Sequence, residues 1–198
     1  MMRLADILGR IPRPLLYVVV AAIQVALIAM LVVERARVLR EGTEVTLAVR
    51  PVDPRDFLRG DYVRLDYDIS SVPAGALKDT PAEGKASVVY VKLAPKDGVY
   101  SVVSAHAEPV AVSGDERLIR GHVGYGTNCG VGNRSFCETL HVNYGIEHYF
   151  VPEGEGRAIE KARDQGKVTV VAAVTREGRA AIKRLLVDGQ PVYDEPLY

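Results

Sequence analysis

The feature of this chain that most limits its fold is an uninterrupted apolar run near the start, from residue 15 to residue 33. A helix of that length, at about 1.5 Å a residue, spans roughly 28 Å, which is close to the hydrocarbon thickness of a bilayer. Such a helix satisfies its own backbone hydrogen bonds within lipid. No second run of this kind exists, so the sequence predicts one transmembrane helix and a separate domain that folds in water.

The apolar run divides the chain into four predicted regions. Residues 1–14 form a cytoplasmic tail, residues 15–33 the transmembrane helix, residues 34–42 a linker, and residues 43–198 a folded domain. A cleaved signal peptide is the alternative, but the run is longer than a usual signal-peptide core and no A-x-A site follows it. We therefore expect an uncleaved signal anchor.

Arginines do not decide which side of the membrane the domain occupies, because three precede the run and three follow it. A short tail ahead of a long domain is typical of a signal anchor with an exported domain. The two cysteines, Cys129 and Cys137, lie close together in a loop rich in Gly and Asn, which suits a disulfide in an oxidising compartment. Both observations predict an extracytoplasmic domain.

Charge argues against nucleic acid as a partner. The first 40 residues carry a net charge of +4, and the remainder carries −4. A mildly acidic domain lacks the basic surface that attracts a phosphate backbone. The membrane is the partner that the sequence indicates, and DNA and RNA are set aside.

Alternating apolar and polar residues predict that the domain is built mainly of β-strands. One short helix is predicted at Gly156–Asp164, ahead of the helix-ending Gly166. An Asp-Gly pair at 97–98 predicts a hairpin, and the turn-rich residues 70–85 predict a surface connection. The predicted strands are 43–50, 61–69, 86–94, 99–107, 110–112, 117–125, 139–150, 167–175 and 179–187. Strands of this number and spacing predict an antiparallel β-sandwich or an open β-barrel with one short helix.

One motif carries a resemblance to a known family. Residues 60–67 read GDYVRLDY, which fits the pattern G-D-Y-x-x-L-x-Y at Gly60, Asp61, Tyr62, Leu65 and Tyr67. The chain resembles the bacterial GDYXXLXY family of membrane-anchored proteins, and YGIEHYFVPEGEG at residues 144–156 is also similar to that family. The resemblance covers most of residues 43–192. It implies a single-span protein that accompanies multi-span membrane proteins, and it implies no particular activity.

Two interpretations of the motif stand side by side. In the structural one, the motif is the entry to a strand, with Leu65 in the core and Tyr67 buried with a partner for its hydroxyl. In the functional one, acidic and aromatic residues near the strand entry form a groove that binds a ligand. The candidate binding residues of this groove are Asp53, Asp56, Asp61, Tyr62, Glu147, Tyr149 and Glu153.

Linear motifs for catalysis or metal binding are absent from the sequence. A membrane-anchored Ser/Lys hydrolase needs a serine soon after the span, but the first serine is Ser70 and the first lysine is Lys78. No G-x-S-x-G, P-loop, Rossmann or H-E-x-x-H pattern occurs. Of the four histidines, only His122 and His141, on neighbouring predicted strands, are candidates for a metal pair. We therefore predict no catalytic residues, no metal site and no cofactor.

The expected location is the bacterial inner membrane, with a single span and a periplasmic or extracytoplasmic domain. The expected function is non-catalytic, as a binding or accessory subunit of a multi-span membrane protein. The alternative function is an exported domain that binds a small ligand or an envelope polymer in an acidic, tyrosine-lined cleft.

Overall fold

The computed structural model describes residues 12–51, 62–79, 87–123, 139–150 and 156–194. Within these ranges the chain is mainly β, as predicted, with twelve strands, two α-helices and two single-turn 3-10 helices. It divides into two compact units, residues 1–37 and residues 38–198. The second unit is called the β-domain below, and each unit is described by itself.

The first unit is formed by a long apolar helix, α1 (Arg13–Glu41). The helix is long and apolar enough to cross a membrane, with a mean hydropathy of 2.8, and none of that apolar stretch is buried inside the protein. It continues through residues 34–41, which the sequence analysis assigned to a linker. Glu, Arg, Ala and Leu fill most of these positions and favour helix, so the helix ends only at Gly42.

The last turn of α1 belongs to the β-domain. Val38 and Leu39 are 6% and 1% exposed, and they pack with Ala181 in a small apolar cluster. Gly42 follows directly, and a Cβ atom at this position would lie 2.9 Å from the Cβ of Ala173. The close approach between the end of the helix and the sheet therefore requires glycine.

The β-domain consists of antiparallel sheets, one of which is nearly closed in the manner of a barrel. The strands are β1 (Thr43–Arg50), β2 (Tyr62–Arg64), β3 (Asp66–Tyr67), β4 (Ser71–Pro73), β5 (Ser87–Lys96), β6 (Val99–His106), β7 (Arg117–Val123), β8 (Thr139–Asn143), β9 (His148–Phe150), β10 (Val168–Val174), β11 (Ala180–Val187) and β12 (Gln190–Asp194). One sheet has the order β12-β11-β10-β1-β3 and another β4-β8-β7-β5-β6, while β2 pairs with β9. The second helix, α2 (Gly156–Asp164), has the predicted bounds.

The core follows the predicted two-residue alternation. In β1 the side chains of Val45, Leu47 and Val49 are buried, and the residues between them are at least partly exposed. The Asp-Gly hairpin is also confirmed, because Asp97 and Gly98 both have positive φ, as a two-residue turn between β5 and β6 requires. Local pattern therefore predicts both the central strand β1 and the hairpin that joins β5 to the edge strand β6.

Two long strands were predicted as continuous, and the structure interrupts each of them. The predicted strand 61–69 is divided into β2, β3 and a 3-10 helix at Asp68–Ser70, because β2 pairs with β9 whereas β3 pairs with β1. The predicted strand 139–150 is divided into β8 and β9 by a turn. The alternation holds throughout the first segment and as far as Ile146 in the second. Beyond the turn its parity changes, so that Tyr149 is buried and His148 is exposed.

Two weaker predictions also differ from the structure. Residues 110–112 form no strand, and the predicted surface connection at 70–85 contains β4, in which Val72 is fully buried. Strand β4 has only three residues, which is too few for a recognisable alternation of apolar and polar side chains. The turn-rich sequence around it therefore predicts a loop.

Gly178, in the turn between β10 and β11, gives the first testable prediction. Its φ is +82°, its carbonyl accepts a hydrogen bond from the Arg120 amide at 2.8 Å, and a Cβ there would lie 2.9 Å from that nitrogen. We expect Gly178→Ala to lower the free energy of unfolding by about 2 to 3 kcal/mol, from backbone strain and displacement of Arg120. Urea unfolding of the full chain in detergent micelles measures this loss.

The matched control is Gly189→Ala. Gly189 also has a positive φ, +77°, but a Cβ there meets nothing within 4 Å. Its substitution reports the backbone strain alone, about 1 kcal/mol. Equal losses in the two variants would contradict a packing role for Gly178.

Candidate functional site

Two buried tyrosines join the two motif segments in a reciprocal arrangement. Tyr67 Oη donates a hydrogen bond to the carbonyl oxygen of Ile146 at 2.6 Å, and Tyr144 Oη donates one to the carbonyl oxygen of Ile69 at 2.7 Å. Both rings lie in the hydrophobic core. Each segment therefore supplies one hydroxyl donor and one carbonyl acceptor to the other. The predicted burial of Tyr67 with a partner for its hydroxyl is what the structure shows.

Burial raises the pKa of both phenols above the ordinary value near 10. For Tyr67 the main cause is desolvation, with smaller contributions from the negative charges of Glu147 and Asp66. For Tyr144 the causes are desolvation and then the charge of Glu147. Both hydroxyls therefore stay protonated and act as donors, because ionisation inside the core would lose the hydrogen bond and bury a charge.

These pKa shifts predict a loss of stability at high pH. A tyrosine whose pKa is raised by folding contributes stability that is fully present below pH 10 and lost as the pH rises above it. Each of the two contributes about 1.4 kcal/mol per pH unit to that fall. We expect Tyr67→Phe to reduce the slope of unfolding free energy against pH by about half of this combined contribution, measured by urea unfolding between pH 10 and 11. An unchanged slope would contradict the prediction.

Glu147 holds the turn that presents Tyr144. Its two carboxylate oxygens accept hydrogen bonds from the amides of Tyr144 and Gly145, the second at 2.9 Å. Gly145 has a φ of +80°, which favours glycine at this place in the turn. The carbonyl oxygen of Glu147 accepts a further bond from the Leu65 amide at 2.8 Å. Glu147 thus connects its own turn to the G-D-Y-x-x-L-x-Y segment.

Arg163, on α2, is a structural residue that the sequence analysis missed. Its side chain is 2% exposed, and its Nη1 donates to the carbonyl oxygen of Arg64 at 2.8 Å. Its Nε and Nη2 donate to Oδ1 of Asp164 at 3.0 and 2.9 Å. The sequence spacing could have predicted its burial, because Arg163 follows the buried Ile159 by four residues and so lies on the same face of the helix. Arg163 anchors α2 to the backbone of the motif strand.

Some of the candidate groove residues lie within the described part of the chain, and the others lie outside it. Glu147 is engaged with turn amides, and Tyr149 is 3% exposed and meets the ring of Tyr193 edge to face at 5.7 Å. The backbone of Tyr62 pairs with Phe150. The remaining sequence candidates lie outside the described residues: Asp53, Asp56, Asp61, Glu153, motif residue Gly60, and the cysteine pair Cys129 and Cys137. The described members favour the structural interpretation, and the groove stays a prediction.

Metal binding receives no support from the described ranges. No cluster of three or more potential ligands occurs among those residues. In the β7–β8 ladder, His122 pairs with Asn143 rather than with His141, while His141 pairs with Ser71 of β4. The two histidines are therefore diagonal neighbours, too few to complete a zinc site by themselves.

Comparison with known proteins agrees with the motif. A family model described as "GDYXXLXY protein" matches residues 24–185, which is most of the chain. The chain matches no curated protein and no solved structure at a significant level. The match includes both segments that the tyrosine pair joins.

Proposed function

The chain belongs to the GDYXXLXY family, and from this premise we propose that it is a single-span protein of the bacterial inner membrane with an extracytoplasmic β-domain. In this proposal it serves as a binding or accessory subunit of a multi-span membrane protein. The observation that carries the proposal is the apolar stretch of helix α1, residues 15–33, none of which is buried by the described residues.

The end of α1 supports an anchor that stays attached. A signal peptidase cuts an extended segment just beyond the apolar run. Here residues 34–41 are helical, and Leu39 is 1% exposed within the β-domain. Cleavage in this segment would require the domain to release its own core residues, so an uncleaved helix is favoured.

Gln24 supports a partner within the bilayer. Its side chain is exposed near the middle of α1, among apolar residues. A primary amide in hydrocarbon is costly unless another polar group accepts and donates its hydrogen bonds. A polar residue on a neighbouring transmembrane helix meets that need, with a gain of about 1 kcal/mol.

Reporter fusions test the topology. Alkaline phosphatase joined after residue 198 is expected to be active, and a fluorescent protein that folds only in the cytoplasm is expected to stay dark at the same position. The reverse pattern would refute the extracytoplasmic domain. Recovery of the chain in the soluble fraction would refute the anchor.

Crosslinking followed by purification tests the accessory role. A tagged chain is expected to bring down one multi-span protein in near-stoichiometric amount. Gln24→Leu is expected to lower this yield, and Ile28→Leu, which changes no polar group in the same helix, is expected to leave it unchanged. Absence of a multi-span protein from the wild-type sample would overturn the proposal, and a ligand retained in a native mass spectrum would favour the cleft instead.

A further inference from the structure

Three side chains outside the motif form a hydrogen-bonded chain in the order serine, histidine, aspartate. Ser104 Oγ lies 2.9 Å from Nε2 of His106, and Nδ1 of His106 lies 3.3 Å from Oδ2 of Asp79. Ser104 and His106 are two residues apart on β6, so both side chains project from the same face of the sheet. The order of atoms is the one that activates a serine in hydrolases of unrelated folds.

Backbone contacts bring the segment that ends at Asp79 next to β6. The amide of Lys78 donates to the carbonyl oxygen of Ala105 at 2.9 Å, and Leu77 forms a parallel bridge with Ala105. The β5–β6 register shifts between Lys92, which pairs with Ser104, and Leu93, which pairs with Val102. This bulge lies immediately before Ser104, and bulges of this kind reorient a side chain next to reactive sites.

We propose that Ser104 is a nucleophile, that His106 is its general base, and that Asp79 is the carboxylate that positions His106. Asp79 accepts the Nδ1 proton, which leaves Nε2 free to accept the proton of the Ser104 hydroxyl. Lys92 lies directly across the ladder from Ser104, and its Nζ is held in an ion pair with Glu116 at 2.7 Å, so the proposal rests on the Ser104–His106–Asp79 geometry alone.

The substrate class is a small carboxylic ester. Ser104 is 6% exposed and the His106 side chain 15%, and this low exposure favours a substrate with a small acyl group. Ser104 Oγ forms a bond to the carbonyl carbon as its proton moves to Nε2. The bond to the alcohol oxygen then breaks, and His106 returns the proton to the leaving alcohol. Water repeats both steps on the acyl-serine and releases the carboxylic acid.

This activity goes beyond the proposed accessory function and does not rest on it. It is also independent of any linear motif, because a serine–histidine–carboxylate set is recognised by geometry and not by sequence position. In this chain the local signal is only Ser-Ala-His within β6, and the partner carboxylate comes from a separate segment.

A fluorophosphonate probe, applied to the full chain in detergent micelles, tests the proposal. Ser104 Oγ forms a bond to phosphorus, fluoride leaves, and the serine proton passes to His106. We expect one adduct per chain, located at Ser104 by peptide mass mapping and absent from Ser104→Ala. His106→Gln is expected to label at least about 100-fold more slowly, as loss of a general base predicts.

Asp79→Asn tests the positioning residue separately. The Asp79 side chain is 61% exposed, so this variant is expected to keep the wild-type melting temperature. It is expected to lower the maximal labelling rate about tenfold or more while the half-saturating probe concentration stays the same, a split that a merely structural change does not produce. Ser101→Ala, three positions before Ser104 on the same strand, is the matched control and is expected to label as the wild type does.

Three results would overturn the proposal. The first is no wild-type adduct in micelles in which a known serine hydrolase is labelled. The second is an adduct of equal yield in Ser104→Ala. The third is labelling of Asp79→Asn at the wild-type rate. None of these results bears on the multi-span partner, so failure here and failure of the accessory role remain distinguishable.

Discussion

Tyr67→Ala is expected to lower the free energy of unfolding by about 4 kcal/mol. The ring of Tyr67 is fully buried in the β-domain core, and its removal leaves a cavity that the surrounding sheet closes only in part. The same change removes the donor to the Ile146 carbonyl. Urea unfolding of the full chain in micelles, followed by circular dichroism, measures the loss.

Tyr67→Phe separates the hydrogen bond from the ring. It keeps the apolar volume and removes only the hydroxyl, so we expect a loss of about 1 to 2 kcal/mol. Tyr90→Phe, at a half-buried position on β5, is the control and is expected to change stability by less than about 0.5 kcal/mol. If Tyr67→Phe lowered the free energy of unfolding no more than Tyr90→Phe does, the reciprocal hydrogen bonds would not explain the tyrosine at this position of the motif.

Arg163→Ala is expected to lower the free energy of unfolding by about 3 kcal/mol. The side chain is 2% exposed, and its loss removes the donor to the Arg64 carbonyl and leaves a cavity between α2 and the motif strand. Arg163→Lys is expected to recover only part of the loss, because an ammonium group does not reproduce the planar set of donors that reaches both Arg64 and Asp164.

The control for Arg163 lies on the same helix. Lys161 is exposed on α2, so Lys161→Ala is expected to stay within about 0.5 kcal/mol of the wild type. Similar losses in the two variants would show that helix propensity, and not the buried guanidinium, determines the effect.

Local pattern predicts much of this fold. The apolar run predicts α1, and the alternation of Val63, Leu65 and Tyr67 predicts which side of the motif is buried. Turn residues predict the β5–β6 hairpin. These features depend on residues that are close in sequence, for which periodicity and backbone preference are sufficient.

The remaining features depend on contacts between distant residues. The strand breaks at Leu65 because the Leu65 amide donates to the carbonyl oxygen of Glu147, 82 positions later. As a result β2 and β3 belong to different sheets. Arg163 looks like an ordinary helix-end cation until the Arg64 carbonyl is placed beside it. The Ser104–His106–Asp79 chain likewise forms only when a bulge and a parallel bridge bring two segments together. Periodicity carries no information about such pairings.

The burial of Leu39 determines where the chain can be shortened. A soluble fragment chosen from the apolar run and the first strand alone would begin near residue 43 and would lack Val38 and Leu39, which cover Ala181. Such a fragment would present bare apolar surface to water and tend to self-associate during purification. A fragment that begins a few residues before Val38 keeps the side chains of Val38 and Leu39 and removes only the apolar, membrane-spanning part of the helix. Expression trials of this protein should therefore set their first residue by the packing at the helix end, not by the hydropathy profile.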